Sequence, residues 1–369
     1  MPRLPPELWL RVIERLPDSD RLALRAADRR LHALATPAVF RELCFTSTPR
    51  STAAIRALLG TSVRGHVEKI EYQNAWNRPR EMPDQMAFIK GQVVIRDNLV
   101  GIVALLPSLP ALHSLVLAFD PTTNYGDLLR RQLSAQEDIF NALASLPSPL
   151  SLRTLVLENL LPYTNDILLS PTFLAVFRGV QHLAVTCHHG SWNPADDFYP
   201  DTLPILLLGP AATLTSLSLH SNRDIGFPPG ISLSDLRFPH LTHLSLQRIL
   251  FDENTCAEGF ILAHAAKLTS LTLHYCKIAL ARHGDSPARS WVVVYGALSS
   301  GLENLRHLKV LEERRGWKDN EFVLRYAVVI RSWGPHSATN WHPISGGEEA
   351  ADAAALEAFS AAVQRRNLQ

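Results

Sequence analysis

The sequence predicts an α/β chain: three short N-terminal helices, an irregular solenoid of parallel strands with helical returns, and a C-terminal capping helix. Three observations carry that prediction. Apolar residues recur at helical spacing through the first forty residues, one six-residue leucine pattern recurs from Val67 onward, and the stretch after Gly347 is alanine-rich with a helical apolar period. The expected divisions are 1–45 for the helical piece, 46–345 for the solenoid and 346–369 for the terminal helix.

The first helix begins at Pro5-Pro6, where a missing N–H is no loss. It carries Leu8, Trp9, Val12, Ile13 and Leu16 on one face and ends at Pro17. The Asp18-Ser19-Asp20 cluster is expected to cap a second helix bearing Leu22, Leu24 and Ala27. A third runs through Leu31 and Leu34 and should stop at Thr36-Pro37, because a residue before proline is pushed out of the α region. Three helices this short cannot hide that much apolar surface among themselves, and a partner is expected to cover it.

From there the unit is L-x-x-L-x-L. It reads Leu112-Leu115-Leu117, Leu152-Leu155-Leu157, Leu214-Leu217-Leu219, Leu241-Leu244-Leu246 and Leu268-Leu271-Leu273, with looser copies at Val67-Ile70-Tyr72, Val180-Leu183-Val185 and Leu305-Leu308-Val310. The copies start 45, 40, 28, 34, 27, 27 and 37 residues apart. The shorter spacings match the leucine-rich-repeat period of about 20–29 residues, and the longer ones call for inserted loops or fuller helices. Asn222 and Cys276 stand at the ninth position, where such repeats turn a side chain inward to bond the backbone. Helical returns are expected at Asp138–Leu146, Pro171–Arg178, Cys256–Ala266 and Trp291–Ser300, and a last strand at Arg325–Trp333. Asn74–Gln85, Pro121–Gln136 and His188–Pro204 read as interrupting loops, the last being long and aromatic enough to hold binding residues. Leu356, Phe359 and Val363 mark the apolar side of the terminal helix, which would close the open end of the solenoid.

Composition narrows the function classes. Thirty-six basic and 35 acidic residues nearly cancel, which points away from nucleic acid and from a membrane surface. Four scattered cysteines (Cys44, Cys187, Cys256, Cys276) form no C-x-x-C pair and read as buried thiols. No leader-like or membrane-spanning apolar run is seen, and a cytoplasmic or nuclear protein is expected. Neither a phosphate-binding glycine loop nor a nucleophile elbow occurs, so no catalytic residue, cofactor or metal is assigned and no enzyme activity is expected. His188-His189 beside Asp196-Asp197 reads as a solvated loop, and Glu312-Glu313-Arg314-Arg315 as a solvated turn.

The third, fifth and seventh residues of each copy alternate away from the core onto the concave face. That places His182, Ser216, His220, His243, Gln247, Ser270, His274 and His307 on it as candidate target-binding residues.

The opening Leu4-Pro5-Pro6-Glu7-Leu8, the Ile13-x-x-Leu16 step, the Asp20-x-Leu22-x-Leu24 step and Arg29-Arg30-Leu31 resemble an F-box. Ala26-Ala27-Asp28 stand where many F-boxes place a valine and a cysteine or serine. With the repeats, the chain is similar to F-box proteins carrying leucine-rich repeats, the substrate receptors of SCF-type ubiquitin ligases. The resemblance implies that Leu4, Pro5, Leu8, Trp9, Ile13, Leu16, Leu22 and Leu24 face a Skp adaptor, and through it a cullin, while the solenoid binds a target protein. The alternatives without a ligase role are a repeat scaffold whose helices only cap the solenoid, or a protein that binds Skp without acting in degradation. If Trp9, Ile13 and Leu16 pack against the body of the protein the scaffold gains, and if they lie outward as one patch the adaptor gains.

Overall fold

The computed structural model describes residues 5–74, 96–121, 126–189, 197–226, 230–280, 289–317, 320–323, 325–329, 339–341 and 346–368. Its centre is a nine-stranded, all-parallel sheet. In sequence and in space the strands run β1 (Glu42–Thr46), β2 (Lys69–Gln73), β3 (Ser114–Ala118), β4 (Thr154–Leu160), β5 (His182–Cys187), β6 (Ser216–Ser221), β7 (His243–Gln247), β9 (Ser270–His274) and β11 (His307–Leu311). Neighbouring copies thus stack in order, as a solenoid requires.

One hydrogen-bond pattern holds this register at every step. The second residue of each copy offers its carbonyl to two successive N–H groups of the next. Arg41 O takes Glu68 N and Lys69 N, Glu68 O takes His113 N and Ser114 N, and the series continues through Arg153, Gln181, Thr215, Thr242 and Thr269 to Arg306 N and His307 N. Thr215, Thr242 and Thr269 add a hydroxyl to the same carbonyls at 3.0, 3.0 and 3.1 Å. The leucines at positions one, four and six fill the core behind the sheet, and Leu214, Leu219, Leu241, Leu246 and Leu268 are fully enclosed.

The sheet begins one copy earlier than the leucine pattern does. Phe40-Arg41-Glu42-Leu43-Cys44-Phe45 is the first unit, with phenylalanines at positions one and six. Leu43 and Phe45 join the main apolar cluster, so a division at 45/46 falls inside β1.

Helices return the chain: α1 (Pro6–Arg15), α2 (Asp18–Ala27), α3 (Arg29–Phe40), α4 (Pro49–Leu59), α5 (96–105), α6 (Gly126–Ala144), α7 (Asp166–Leu169), α8 (Pro171–Leu174), α9 (Leu203–Leu208), α10 (Ala257–Ala263), α11 (Trp291–Gly301) and α12 (Gly346–Asn367). Several expectations change. Asp18 and Asp20 lie in the first turn of α2 rather than capping it, where carboxylates still suit the helix N-terminus. Pro37 does not end α3. The helix runs on to Phe40, with the Thr36 hydroxyl bonded to His32 O at 2.6 Å and taking Arg25 Nε at 3.1 Å. Residues 126–136, expected as loop, belong to α6, and 122–125 lie outside the described residues.

Two small sheets flank the main one. β8 (Leu250–Phe251), β10 (Lys277–Leu280) and β14 (Tyr326–Val329) pair in parallel, and β15 (Thr339–Trp341) pairs antiparallel to β14. The last strand expected at Arg325–Trp333 is therefore β14 of this second sheet, and 330–338 lie outside the described residues. The chain reaches β8 and β10 by turning sharply after β7 and β9, with Arg248 and Tyr275 in the left-handed region at φ 57° and 53°. Glu312–Arg315 is not a solvated turn. Arg314 and Arg315 open β12 (Arg314–Trp317), antiparallel to β13 (Asn320–Val323), and Glu312 Oε1 takes Arg325 Nε at 2.6 Å.

At the far end α12 packs on α11, with the Phe359 ring 6.3 Å from that of Tyr295, and Val363 is buried on the same helix. Asp352 accepts Val292 N at 3.1 Å and the Tyr326 hydroxyl at 2.7 Å. Arg366 donates to Leu302 O and Ser299 O at 2.9 and 2.6 Å, placing a cation on the terminal carbonyls of α11.

Candidate functional site

Two surfaces stand out, one at each end. The first is the helical piece α1–α3. None of the described members of the main apolar cluster comes from α1 or α2, so these helices are held largely by one another. Asp28 accepts Leu31 N at 2.8 Å to start α3, and Arg21 reaches back to Ile13 O and Glu14 O at 3.0 Å each. Ile13 is enclosed at 1% exposure and, with the fully buried Ala35 of α3, forms the interior of this piece. That corrects its assignment as a partner-facing residue: on a three-helix unit one large apolar side chain must form the inside. Trp9, Leu16 and Leu24 are half-buried, Pro5 is exposed, and Leu4 lies outside the described residues. The outward apolar residues are Leu8, Leu10, Val12 and Leu22 at 44, 43, 41 and 52% exposure. Leu10 was not flagged by the helical spacing because it falls off the Leu8–Ile13 face.

The second surface is the concave face of the sheet. Register sets His182, Ser216, His243, Ser270 and His307 side by side across β5, β6, β7, β9 and β11. His182, His243 and His307 are exposed, while Ser216 and Ser270 are half-buried. Four residues along each strand the chemistry tightens. His220 Nε2 and Ser245 Oγ lie 2.8 Å apart, and the His220 and His274 rings stack with centroids 5.9 Å apart. Burial, with His274 beside it, pushes His220 down to about 4. Burial and Lys309 lower His274 as well. Both rings are therefore neutral at pH 7. Gln247, paired with His274 across β7 and β9, donates to Ser221 O at 3.3 Å. Among the described residues no group of three or more His, Cys, Asp or Glu is placed to hold a metal ion.

Along the fifth-position row the face changes character. Val116 on β3, Val156 on β4 and Ala184 on β5 give way to Ser218, Ser245 and Thr272, and the row ends at Lys309 on β11. Between β9–β11 and α12 lies a groove of about 260 Å³. Its α12 wall could not be read from repeat spacing, since α12 is not a repeat.

The ninth-position side chains behave differently from one another. Cys276 Sγ points at Leu246 O and His274 O, 3.5 and 3.7 Å away, and burial pushes its thiol up to about 12. Asn222 does bond a neighbouring backbone, taking His189 N at 2.8 Å and donating to His189 O at 3.2 Å, but is itself exposed. At its described ends the His188–Pro204 segment is packed rather than open. Phe198 and Tyr199 are fully buried, and His189, itself buried, shares a 2.5 Å hydrogen bond with the Tyr199 hydroxyl. Residues 190–196 lie outside the described residues.

No protein-family model and no curated protein matches the chain. Among solved structures, a chain of the yeast complex of Rad7 and Elc1 is similar at a TM-score of 0.30 and 14% identity, over 88% of this chain and 92% of that one. So remote a likeness assigns neither fold nor role.

Proposed function

We propose that this chain is a non-catalytic substrate-recognition adaptor of an SCF-type ubiquitin ligase, acting in the cytoplasm or nucleus. α1–α3 are its F-box, docking on a Skp adaptor and through it on a cullin, and the concave face holds a target protein. The observation that carries the reading is the outward set Leu8, Val12 and Leu22 on a helical piece outside the main core, where Ile13 packs within the three helices rather than against the body of the protein and Trp9 and Leu16 are half-buried. Full burial of such a side chain contributes about 1.5–3 kcal/mol, so covering these half-exposed ones contributes roughly half of that each. The adaptor would act by holding a target near the ubiquitin-charged enzyme, so rate comes from effective concentration rather than from any side chain here.

The test is co-expression with a Skp adaptor and affinity co-purification. A Leu8→Asp, Leu22→Asp double variant changes exposed positions only, so the helices should still fold. Placing two carboxylates in the interface should cost several kcal/mol, about 2 or more each, and abolish capture. Wild-type chain that captures no adaptor would remove the ligase reading and leave a repeat scaffold.

A further inference from the structure

The target-binding half of the reading above can be taken one step further, to the chemistry of what is bound. The groove at the C-terminal end of the concave face is floored by Ser270, Thr272, His307 and Lys309 and walled by Gln364 and Asn367 of α12. Arg306 stands at its mouth, with Nη1 on Arg366 O at 3.1 Å. No carboxylate lines it among the described residues. Of the acids in the last repeats and α12, Glu312 is bound to Arg325, Glu313 to Lys277 and Arg248, and Asp352 to Tyr326 and Val292 N, while Glu303 and Glu357 are exposed outside the groove lining. On the concave positions of β5, β6, β7, β9 and β11 there is likewise no Asp or Glu, only histidines, hydroxyl and small residues, Gln247, Lys309 and Leu311. The carboxylates of this face sit at its other half, at Glu42, Glu71 and Glu158.

We infer that this groove receives an acidic segment of the target protein, one bearing aspartate or glutamate side chains. Rigid hydroxyl and amide walls orient the segment, and Arg306 and Lys309 supply charge complementarity. That combination sets specificity and encounter rate more than bulk affinity. The half-buried Val156 and Ala184 lie further along the same face.

The probe is a fluorescein-labelled octaglutamate peptide, read by anisotropy on the full chain against octalysine, a Gly-Ser octamer and an oligothymidine of equal length. Octaglutamate should bind best, and Lys309→Glu should weaken it roughly tenfold while the exposed, distant Arg64→Glu leaves it unchanged. Equal binding of Gly-Ser or octalysine, equal binding of the oligothymidine, or indifference to Lys309→Glu would each overturn the inference. Adaptor capture, measured on the same preparations, keeps the two questions apart. Capture without octaglutamate binding overturns the groove alone, and octaglutamate binding without capture overturns the ligase reading alone.

Discussion

Leu8 and Ile13 share one helix and one apolar pattern, yet substitutions there should act oppositely. Ile13→Ala empties an enclosed site and should cost about 2–5 kcal/mol. Leu8→Ala, at an exposed site, should stay within about 0.5 kcal/mol. Trypsin cleavage within α1–α3 reads the difference: faster in Ile13→Ala, unchanged in Leu8→Ala. His264 is a second residue-scale case. Its Nδ1 lies 2.7 Å from Phe260 O and its Nε2 accepts Phe238 N at 2.9 Å, so the ring must stay neutral, and burial lowers its pKa. His220 is lowered in the same direction. Below the ordinary histidine value of about 6.5 the unfolded chain takes up protons that the folded chain refuses. Stability should therefore be fully present above that pH and fall as pH drops, with the His220 share lost on the way down to about 4. Melting temperatures across that window should decline, and His220→Gln should flatten the decline. An unchanged slope in that variant would contradict the assignment of a neutral His220.

At the scale of elements, four charges tie the last repeats together where the main strands hand over to the second sheet. Lys277 Nζ, fully enclosed, bonds Asp224 and Glu313 at 3.0 Å each, and Arg248 bonds Glu313 at 3.1 Å. Burial lowers Lys277 and raises Asp224; burial would raise Glu313 too, but Lys277 and Arg248 bring it down. The same Arg248 lies over the Tyr275 ring at 5.3 Å, bracing two residues in the left-handed region that neither arginine nor tyrosine favours. Lys277→Met should cost about 3–5 kcal/mol because it strands buried carboxylates. Adding Asp224→Asn should recover part of it, with a coupling of about 0.5–3 kcal/mol in urea unfolding. Additive losses would show that the two do not interact.

Across the whole molecule, what could be read from the sequence follows from locality. A leucine triplet six residues long announces its strand, and the helical returns at Pro171, Cys256 and Trp291 follow from apolar spacing over one or two turns. What stayed hidden depends on distance or on substitution. The first strand carries phenylalanine where the pattern asks for leucine. β8 has two residues, too few to show a period. Lys277 finds Asp224 across 53 positions, and Arg248 finds Glu313 across 65, so neither pair leaves a local trace. The outward apolar surface of α1 and α2 was half legible: helical spacing marks which residues share a face, but only packing decides that Ile13 goes in and Leu10 stays out.

On the proposed function the chain is a two-ended adaptor, with an apolar helical piece for one partner and a concave sheet for another. Amide hydrogen exchange on the full chain, with and without a purified Skp adaptor, tests that most directly. Slowed exchange confined to α1 and α2, with β5 to β11 unchanged, is the result predicted. No change in those helices, or protection appearing on the sheet instead, would contradict it.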